Sequence, residues 1–600
     1  MSGDSPGNAG GLTTAWSRAI IGGLLAAGVG RFFVSPGSRS TPLVLAVDAL
    51  AHDRITVVVD ERAAAFAALG YARVTGCPAV VLATSGTAPA HWYPAIIEAD
   101  EADIPLVAIS ADRPIELYEA GASQTTDQVR MFGSHVRESF ELGAPDPGAL
   151  DRIADVAVRA VAAALAPRSG PVHVNARFRK PLEPTAEPAT VHRPVRAPSI
   201  FVGEAAPSDA AMRFVRDAIA AAERPCIVAG PMPFGAAPRR DVARRLSRSS
   251  LDLARSAGLP VFAEATSGVA HAAEGAVIPL GAALEAGAFE GDCAPDLVIE
   301  LGAFPVCSAY AKLAERLPSR IVVSASGARD PIGNASAFVL ADATAFISAL
   351  ATSVAPATAE RRRSCETLER ALRAAMRASQ RTLESSAAEP DASSAEPWIA
   401  SEIARAIPSR GVLVAGNSLV VRDLEAYGAA HLGPDVTVLH QRGVAGIDGL
   451  IAGAAGARIA VPTDDPLVLV LGDVSAQHDI GSLTLLREAN GALVIVIVNN
   501  GGGRIFEELP VRQAVDHVST FDRLYRTPTV AGAFAHAARG YGIEYVAAAE
   551  PRSFTTALTQ AVSRDGATIV EVVSQPEKSA PLRKDARRAA RSAFEEALRA

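Results

Sequence analysis

Short β-rich runs alternate with helix-length stretches along most of the chain, and Gly, Ser and Pro punctuate the junctions. That alternation is the pattern of parallel sheets joined by crossover helices. After the helical TAWSRAIIGGLLAAGVG come RFFVSPGS, RITVVVDER, PAVVLATSGTAPA and IPLVAISADRP, which place a first α/β domain over residues 1–185. The Pro-rich stretch PLEPTAEPATVHRPVRAPSIF reads as an extended linker over 186–200. A second α/β domain over 201–355 offers RPCIVAG, LPVFAEATSG, DLVIELGAF and RIVVSAS as strands, and a helical segment with a polar spacer fills 356–397. The third domain, 398–600, repeats the logic of the first with GVLVAGNS, VTVLHQRG, PLVLVLGD and ALVIVIVNN, and closes in a C-terminal helix. The expected architecture is three doubly wound parallel-sheet domains, the outer two related by a distant duplication.

Composition agrees with that picture. A chain of 600 residues exceeds what one hydrophobic core sustains. Its net charge of -8 is modest, and its 57 basic residues are spread along the chain, which disfavours a nucleic-acid footprint. Cys77, Cys226, Cys293, Cys307 and Cys365 are too scattered for a zinc site or a redox dithiol, as suits a reducing compartment. The N-terminus lacks the basic and apolar regions of a signal peptide, and no apolar run reaches the ~18 residues of a membrane span. A soluble, cytoplasmic protein is expected.

In open parallel sheets ligands bind outside the carboxyl ends of the strands, so the strand-end loops are where chemistry belongs. The strongest signal there is PLVLVLGDVSAQHDIGSLTLLREANGALVIVIVNNGGG over residues 466–503. Asp473 and Asn500 are 500 − 473 = 27 positions apart, room for one helix and one strand, so both side chains can stand at neighbouring strand ends. A carboxylate, an amide oxygen and a backbone carbonyl are hard ligands suited to Mg²⁺, with Mn²⁺ as the alternative. Gly472 and Gly501 to Gly503 permit close backbone approach to a diphosphate. The competing reading of each dipeptide is a turn that merely closes a strand.

At this point the sequence resembles the thiamine diphosphate enzyme superfamily, whose motif is Gly-Asp-Gly, roughly 25 residues, then Asn-Asn. Val474 stands where the motif has its second Gly. Four further segments, FVSPGSRSTPL, SADRPIELYEAGASQTTDQ, AGNSLVVRD and HQRGVAGIDGLIAGAAG, together with NNGGGRIFEELP, resemble the 2-succinyl-5-enolpyruvyl-6-hydroxy-3-cyclohexene-1-carboxylate synthases of menaquinone biosynthesis. The resemblance implies a pyrimidine-binding, a central and a diphosphate-binding domain. It implies a reaction joining 2-oxoglutarate to isochorismate with loss of CO2, by a homodimer or dimer of dimers whose sites form between subunits.

The same likeness implies the roles. Glu61 would protonate the cofactor's pyrimidine ring and is the catalytic residue; its competing role is complementing a helix dipole. Asp473, Asn500 and Gly502 would hold the metal, with Gly472, Val474 and Ser475 beside the diphosphate. Ser418 and Ile447 would contact the cofactor, Ile447 as an apolar wedge, and Ile505, Phe506 and Leu509 would wall the pyrimidine side. Both substrates carry two carboxylates, which guanidinium forks suit. Arg39, Arg113 and Gln124 would hold isochorismate, and Ser418, Arg422 and Arg442 the oxoglutarate-derived chain. His91, His440 and His478 are read as structural, and Lys312 is displaced from the place where relatives carry a middle-domain cation. Two other classes stay open: a pyruvate-type 2-oxo acid decarboxylase, which the four arginines disfavour, and a regulatory subunit without catalysis.

Overall fold

The computed structural model describes residues 6–184, 198–232, 240–269, 277–389, 394–515 and 517–600. Most of the expected linker at 186–200 and part of the polar spacer before Trp398 lie outside them. Among the described residues the strands form three six-stranded sheets, and every neighbouring pair runs parallel.

The first sheet contains β1 (Arg31–Ser35), β2 (Ile55–Val57), β3 (Ala79–Ala83), β4 (Leu106–Asp112), β5 (Ser139–Leu142) and β6 (Pro171–Arg177), in the order β2-β1-β3-β4-β6-β5. The second contains β7 (Pro225–Ala229), β8 (Val261–Ala263), β9 (Val277–Pro279), β10 (Leu297–Leu301), β11 (Arg320–Val323) and β12 (Ala337–Val339), in the order β12-β11-β10-β7-β8-β9. The third contains β13 (Val412–Ala415), β14 (Thr437–His440), β15 (Leu467–Gly472), β16 (Ala492–Asn499), β17 (Glu544–Ala548) and β18 (Gly566–Val573), in the order β14-β13-β15-β16-β18-β17.

Counted from its own first strand, the third sheet repeats the order of the first. The middle sheet has the different order of dinucleotide-binding folds. The three α/β domains are thus two of one kind flanking one of another. β5, β6, β9, β12, β17 and β18 were not among the expected strands. The reasons are local: β9 and β12 are three residues long, and the apolar run of β6 is interrupted by His173 and Asn175, both fully buried.

The chain divides into two compact units. One is Met1–Gly203 with Arg442–Val461; the other is Glu204–Gln441 with Pro462–Ala600. In the first, β1 is buried through Phe32, Phe33 and Val34, all 0% exposed, each contributing about 1.5–3 kcal/mol of apolar burial. The helix Glu61–Thr75 follows β2, and Asp60 caps it by accepting from the amides of Arg62 and Ala63. Its face of Ala63 to Gly70 is buried, and the helix Leu450–Ala460 packs directly on it. The fit admits almost no side chain: a Cβ on Gly70 would lie 1.9 Å from the Gly453 carbonyl oxygen, and one on Gly456 would lie 1.9 Å from that of Ala67.

In the second unit the helix Ala359–Ala387 runs against the C-terminal helix Pro576–Arg599. No helix among the described residues is long and apolar enough to cross a membrane. The packing of the glycine seam predicts that Gly70→Ala destabilises the protein by about 1–3 kcal/mol through overpacking, read as a lower urea midpoint; an unchanged midpoint rules out the close approach.

Candidate active site

In the third sheet the strand order departs in opposite directions from β13 and β15, which are neighbours, so their carboxyl ends form a topological switch point. β15 ends at Gly472 and the helix Asp473–His478 begins at once. Asp473 is 2% exposed. Its Oδ1 accepts from the Val474 amide at 2.9 Å and its Oδ2 from the Gly502 amide at 2.8 Å, which draws the loop after β16 onto the end of β15. Burial pushes the Asp473 carboxyl above its ordinary range; the two amides oppose the shift and the charge of Glu571 adds to it. A desolvated carboxylate with only amide partners favours a divalent cation, so this end of the sheet fits the donor set that Mg²⁺ takes. Val474 needs no glycine here, because its backbone is helical.

Gly501, Gly502 and Gly503 all have positive φ, at 76°, 87° and 30°. A Cβ on Gly502 would lie 1.9 Å from the Arg526 carbonyl oxygen, and one on Gly503 would lie 1.9 Å from that of Tyr525. Close backbone contact therefore imposes the glycine run. The two asparagines that precede it divide the work. Asn499 donates to Glu571 at 2.6 Å and accepts from the Gly501 amide at 3.2 Å. Asn500 donates its amide nitrogen to Glu396 at 3.3 Å, which fixes Oδ1 as the atom that can serve as a ligand. Beyond the loop, the short turn Arg504–Glu508 carries Ile505 and Phe506, both half-buried, and Phe506 packs on Tyr525; Leu509 is exposed.

At the end of β13, Ser418 has φ 70° and ψ -134°. A non-glycine residue held there carries strain on the order of 1–3 kcal/mol, of the kind that collects at functional sites. Arg422 donates to the Ser418 carbonyl at 2.6 Å, and Asn417 donates to the Gln441 carbonyl at 3.0 Å. Behind this turn Arg583 of the C-terminal helix forks onto Asp423 at 2.8 and 2.6 Å and reaches Glu396 at 2.9 Å. Burial, joined by the Asp423 charge, pushes the Glu396 carboxyl up to about 7.

The first unit carries the arginine-rich half. Arg39 follows β1, Ser85 follows β3 and Arg113 follows β4, so Arg39 and Ser85 flank the equivalent switch point of the first sheet. Arg39 is 7% exposed and donates to the Phe178 carbonyl at 2.7 Å, while its Nε is buried without a hydrogen bond. Burial lowers the Arg39 pKa, and the like charge of Arg113 lowers it further. Arg113 donates to Ser85 Oγ, and Gln124 donates to the Ser85 carbonyl at 3.2 Å. Two guanidinium groups repelling one another in a partly dehydrated place favour a carboxylate between them. Below them Gln128 accepts from the Gly86 amide at 3.3 Å and donates to Asn175 at 3.1 Å, and Ser110 bonds both Asn175 and His173.

Glu61 opens its helix one residue after the cap, half-buried. Asp60 does the capping, and Glu61 is the acidic residue of the first turn. Arg442 and Ile447 lie on the loop that leads into the helix Leu450–Ala460.

The expected residues thus fall into two sets. Arg39, Glu61, Arg113, Gln124, Arg442 and Ile447 belong to the first unit; Ser418, Arg422, Gly472, Asp473, Val474, Ser475, Asn500, Gly502, Ile505, Phe506 and Leu509 belong to the second. Sequence reasoning passed over Ser85, Glu396 and Glu571. Ser85 had a signal, a Ser-Gly pair at a strand end. The two glutamates had none, because each meets its asparagine across 104 and 72 residues.

The family described as "Thiamine pyrophosphate enzyme, N-terminal TPP binding domain" matches residues 15–131, and "Thiamine pyrophosphate enzyme, C-terminal TPP binding domain" matches residues 427–572. The chain is similar to the 2-succinyl-5-enolpyruvyl-6-hydroxy-3-cyclohexene-1-carboxylate synthase of Sorangium cellulosum, at 41% identity over 95% of this chain and 94% of that one. It is 35% identical to the synthase of the same name from Chlorobaculum tepidum, over 98% of each chain. The one from Halobacterium salinarum is 36% identical over 94% of this chain and 96% of its own.

The buried histidine under the arginine site yields a pH test. Burial depresses His173 to about 3 from 6.5. The unfolded chain then takes up a proton that the folded chain refuses, so stability is lost as pH falls below about 6.5, at about 1.4 kcal/mol per pH unit from this group. Urea unfolding of wild type and His173→Gln between about pH 7 and about pH 5 measures it: the variant should lose that part of the slope.

Proposed function

The chain belongs to the 2-succinyl-5-enolpyruvyl-6-hydroxy-3-cyclohexene-1-carboxylate synthases, a family of thiamine diphosphate enzymes, and from that premise we propose how its own residues carry the reaction. It is a transferase of menaquinone biosynthesis that decarboxylates 2-oxoglutarate and adds the four-carbon remainder to isochorismate. Bound thiamine diphosphate supplies the electron sink that lets the 2-oxo acid lose CO2 and its former carbonyl carbon act as a nucleophile.

The single observation that carries the residue assignment is the buried Asp473 carboxylate bonded to the Gly502 amide, with Asn500 of the same loop held by Glu396. These residues hold Mg²⁺, or Mn²⁺, and with Gly472, Val474 and Ser475 they seat the diphosphate. Glu61 holds a proton at the pyrimidine ring nitrogen and so prepares the cofactor's amine as a base. Ile447 braces the cofactor, and Ile505, Phe506 and Leu509 exclude water from its ring. Arg39, Arg113 and Gln124 orient isochorismate through its carboxylates. Ser418, Arg422 and Arg442 hold the 2-oxoglutarate-derived chain.

We assign the pyrimidine-binding domain to 1–185, the central domain to 201–355 and the diphosphate-binding domain to 398–600. The enzyme works in the cytoplasm, supported by five free cysteines, and as a homodimer or dimer of dimers in which Glu61 of one subunit serves the metal site of another.

The direct test is product mass: purified protein with thiamine diphosphate, Mg²⁺, 2-oxoglutarate and isochorismate should give the adduct less CO2, and pyruvate in place of 2-oxoglutarate should not. Release of CO2 from pyruvate without isochorismate would favour the simpler decarboxylase. Glu61→Gln should keep cofactor binding and lose at least ~10²-fold in turnover; near-normal turnover removes Glu61 from its role. Mixing Glu61→Gln chains with Asp473→Ala chains should restore activity in verified mixed dimers, and no recovery there contradicts the shared site.

A further inference from the structure

Glu98 stands outside every role assigned so far, yet it is 2% exposed. It lies in the helix Tyr93–Glu101 and accepts from the amide of Gly443 at 2.8 Å through Oε1 and from that of Val444 at 2.8 Å through Oε2. One carboxylate thus takes two successive N–H groups of a loop 345 and 346 residues away in sequence. Its countercharge is Arg73 of the helix Glu61–Thr75, 3.6 Å away. The loop is moulded to the same helix surface: a Cβ on Gly443 would lie 2.7 Å from the Glu98 carbonyl oxygen and 3.1 Å from the Ala102 amide nitrogen. At its far end the loop is fastened again, where Gly449 has φ 66° and lies so close to Phe66 that a Cβ would stand 2.0 Å from its ring. Between the two fastenings Ala445 has φ 55°, and the apolar side chains of Val444 and Ile447 are 50% and 37% exposed.

We propose that Glu98 is a positioning residue: through the amides of Gly443 and Val444 it sets where the loop presents Arg442 and Ile447. The functional half rests on the assignment of Arg442 to the oxo acid. Arg442 directly precedes the first fastened amide and Ile447 lies between the two fastenings, so the anchor sets the backbone path that carries both. Burial raises the Glu98 carboxyl above its ordinary range, and Arg73, the two amides and Arg442 oppose that rise; Arg73 and the loop therefore support the charged form that can accept both bonds.

Glu98→Gln keeps the size of the side chain but can accept only one N–H, since its amide nitrogen faces the other as donor against donor. Two readouts test the anchor. Hydrogen exchange of the Gly443 and Val444 amides, followed by mass spectrometry without cofactor or substrate, should speed up about tenfold or more, as loss of a hydrogen bond to a charged group implies. Exchange in the helix Glu61–Thr75 should hold steady. The KM for 2-oxoglutarate should rise about tenfold, with a smaller change in kcat.

Unchanged loop exchange, or an equal rise across the whole unit, overturns the anchor. Faster loop exchange with an unchanged KM upholds the anchor and overturns instead the assignment of Arg442 to the oxo acid. Should Glu98→Gln fold poorly because it strands the Arg73 charge, the Arg73→Met/Glu98→Gln double variant removes both charges and is read by the same two measurements.

Discussion

A carboxylate buried at the end of a strand is costly unless something satisfies it, and the diphosphate half of this protein is arranged around one such group. Asp473 is satisfied by the backbone amides of its own helix start and of Gly502. The second bond determines the shape of the loop beyond β16, and that shape admits no side chain at Gly502 or Gly503. From there the constraint spreads outward through Asn500 to Glu396, and through Glu396 to Arg583 and Asp423. The residual cost of burying Asp473 is of the kind that a bound cation would relieve.

The two outer sheets show how one topology can be given opposite electrostatic characters. Both place their loops of interest after the first and third strands of the same order, at the same switch point. In the first sheet those loops carry Arg39 and Ser85, with Arg113 bonded to Ser85 and repelling Arg39. In the third they carry Ser418 and Asp473, backed by Glu396 and Glu571. The first gathers cationic side chains at its strand ends, and the third gathers carboxylates. Two sheets of one strand order thus differ in charge through a handful of strand-end residues.

Much of this was legible in the sequence because the signals were local. Asp473 and Asn500 end apolar runs, and their separation of one helix and one strand was enough to expect neighbouring strand ends, which the pairing of Gly472 with Val498 bears out. The alternation of runs also foretold parallel sheets. What escaped was set by distant partners. Strand β6 hid because His173 and Asn175 break its apolar pattern to serve a buried network. Glu98 looked like one more charge on a helix, since its partners at 443 and 444 belong to a different stretch of chain. Val474 seemed a defect in a motif until its helical backbone showed that no glycine conformation is required there.

The glycine seam between the helices Glu61–Thr75 and Leu450–Ala460 also bears on how the molecule is made. The first unit leaves off at Gly203 and is completed only by Arg442–Val461. At a ribosomal pace of about 5–20 residues per second, the intervening residues 204–441, 441 − 204 + 1 = 238 of them, take on the order of 10–50 s to emerge. Throughout that interval the nascent chain lacks the partner for an alanine-lined helix face, a sticky surface in a crowded cell. Biogenesis of this protein is therefore suited to chaperone custody of its leading portion until the returning segment is translated.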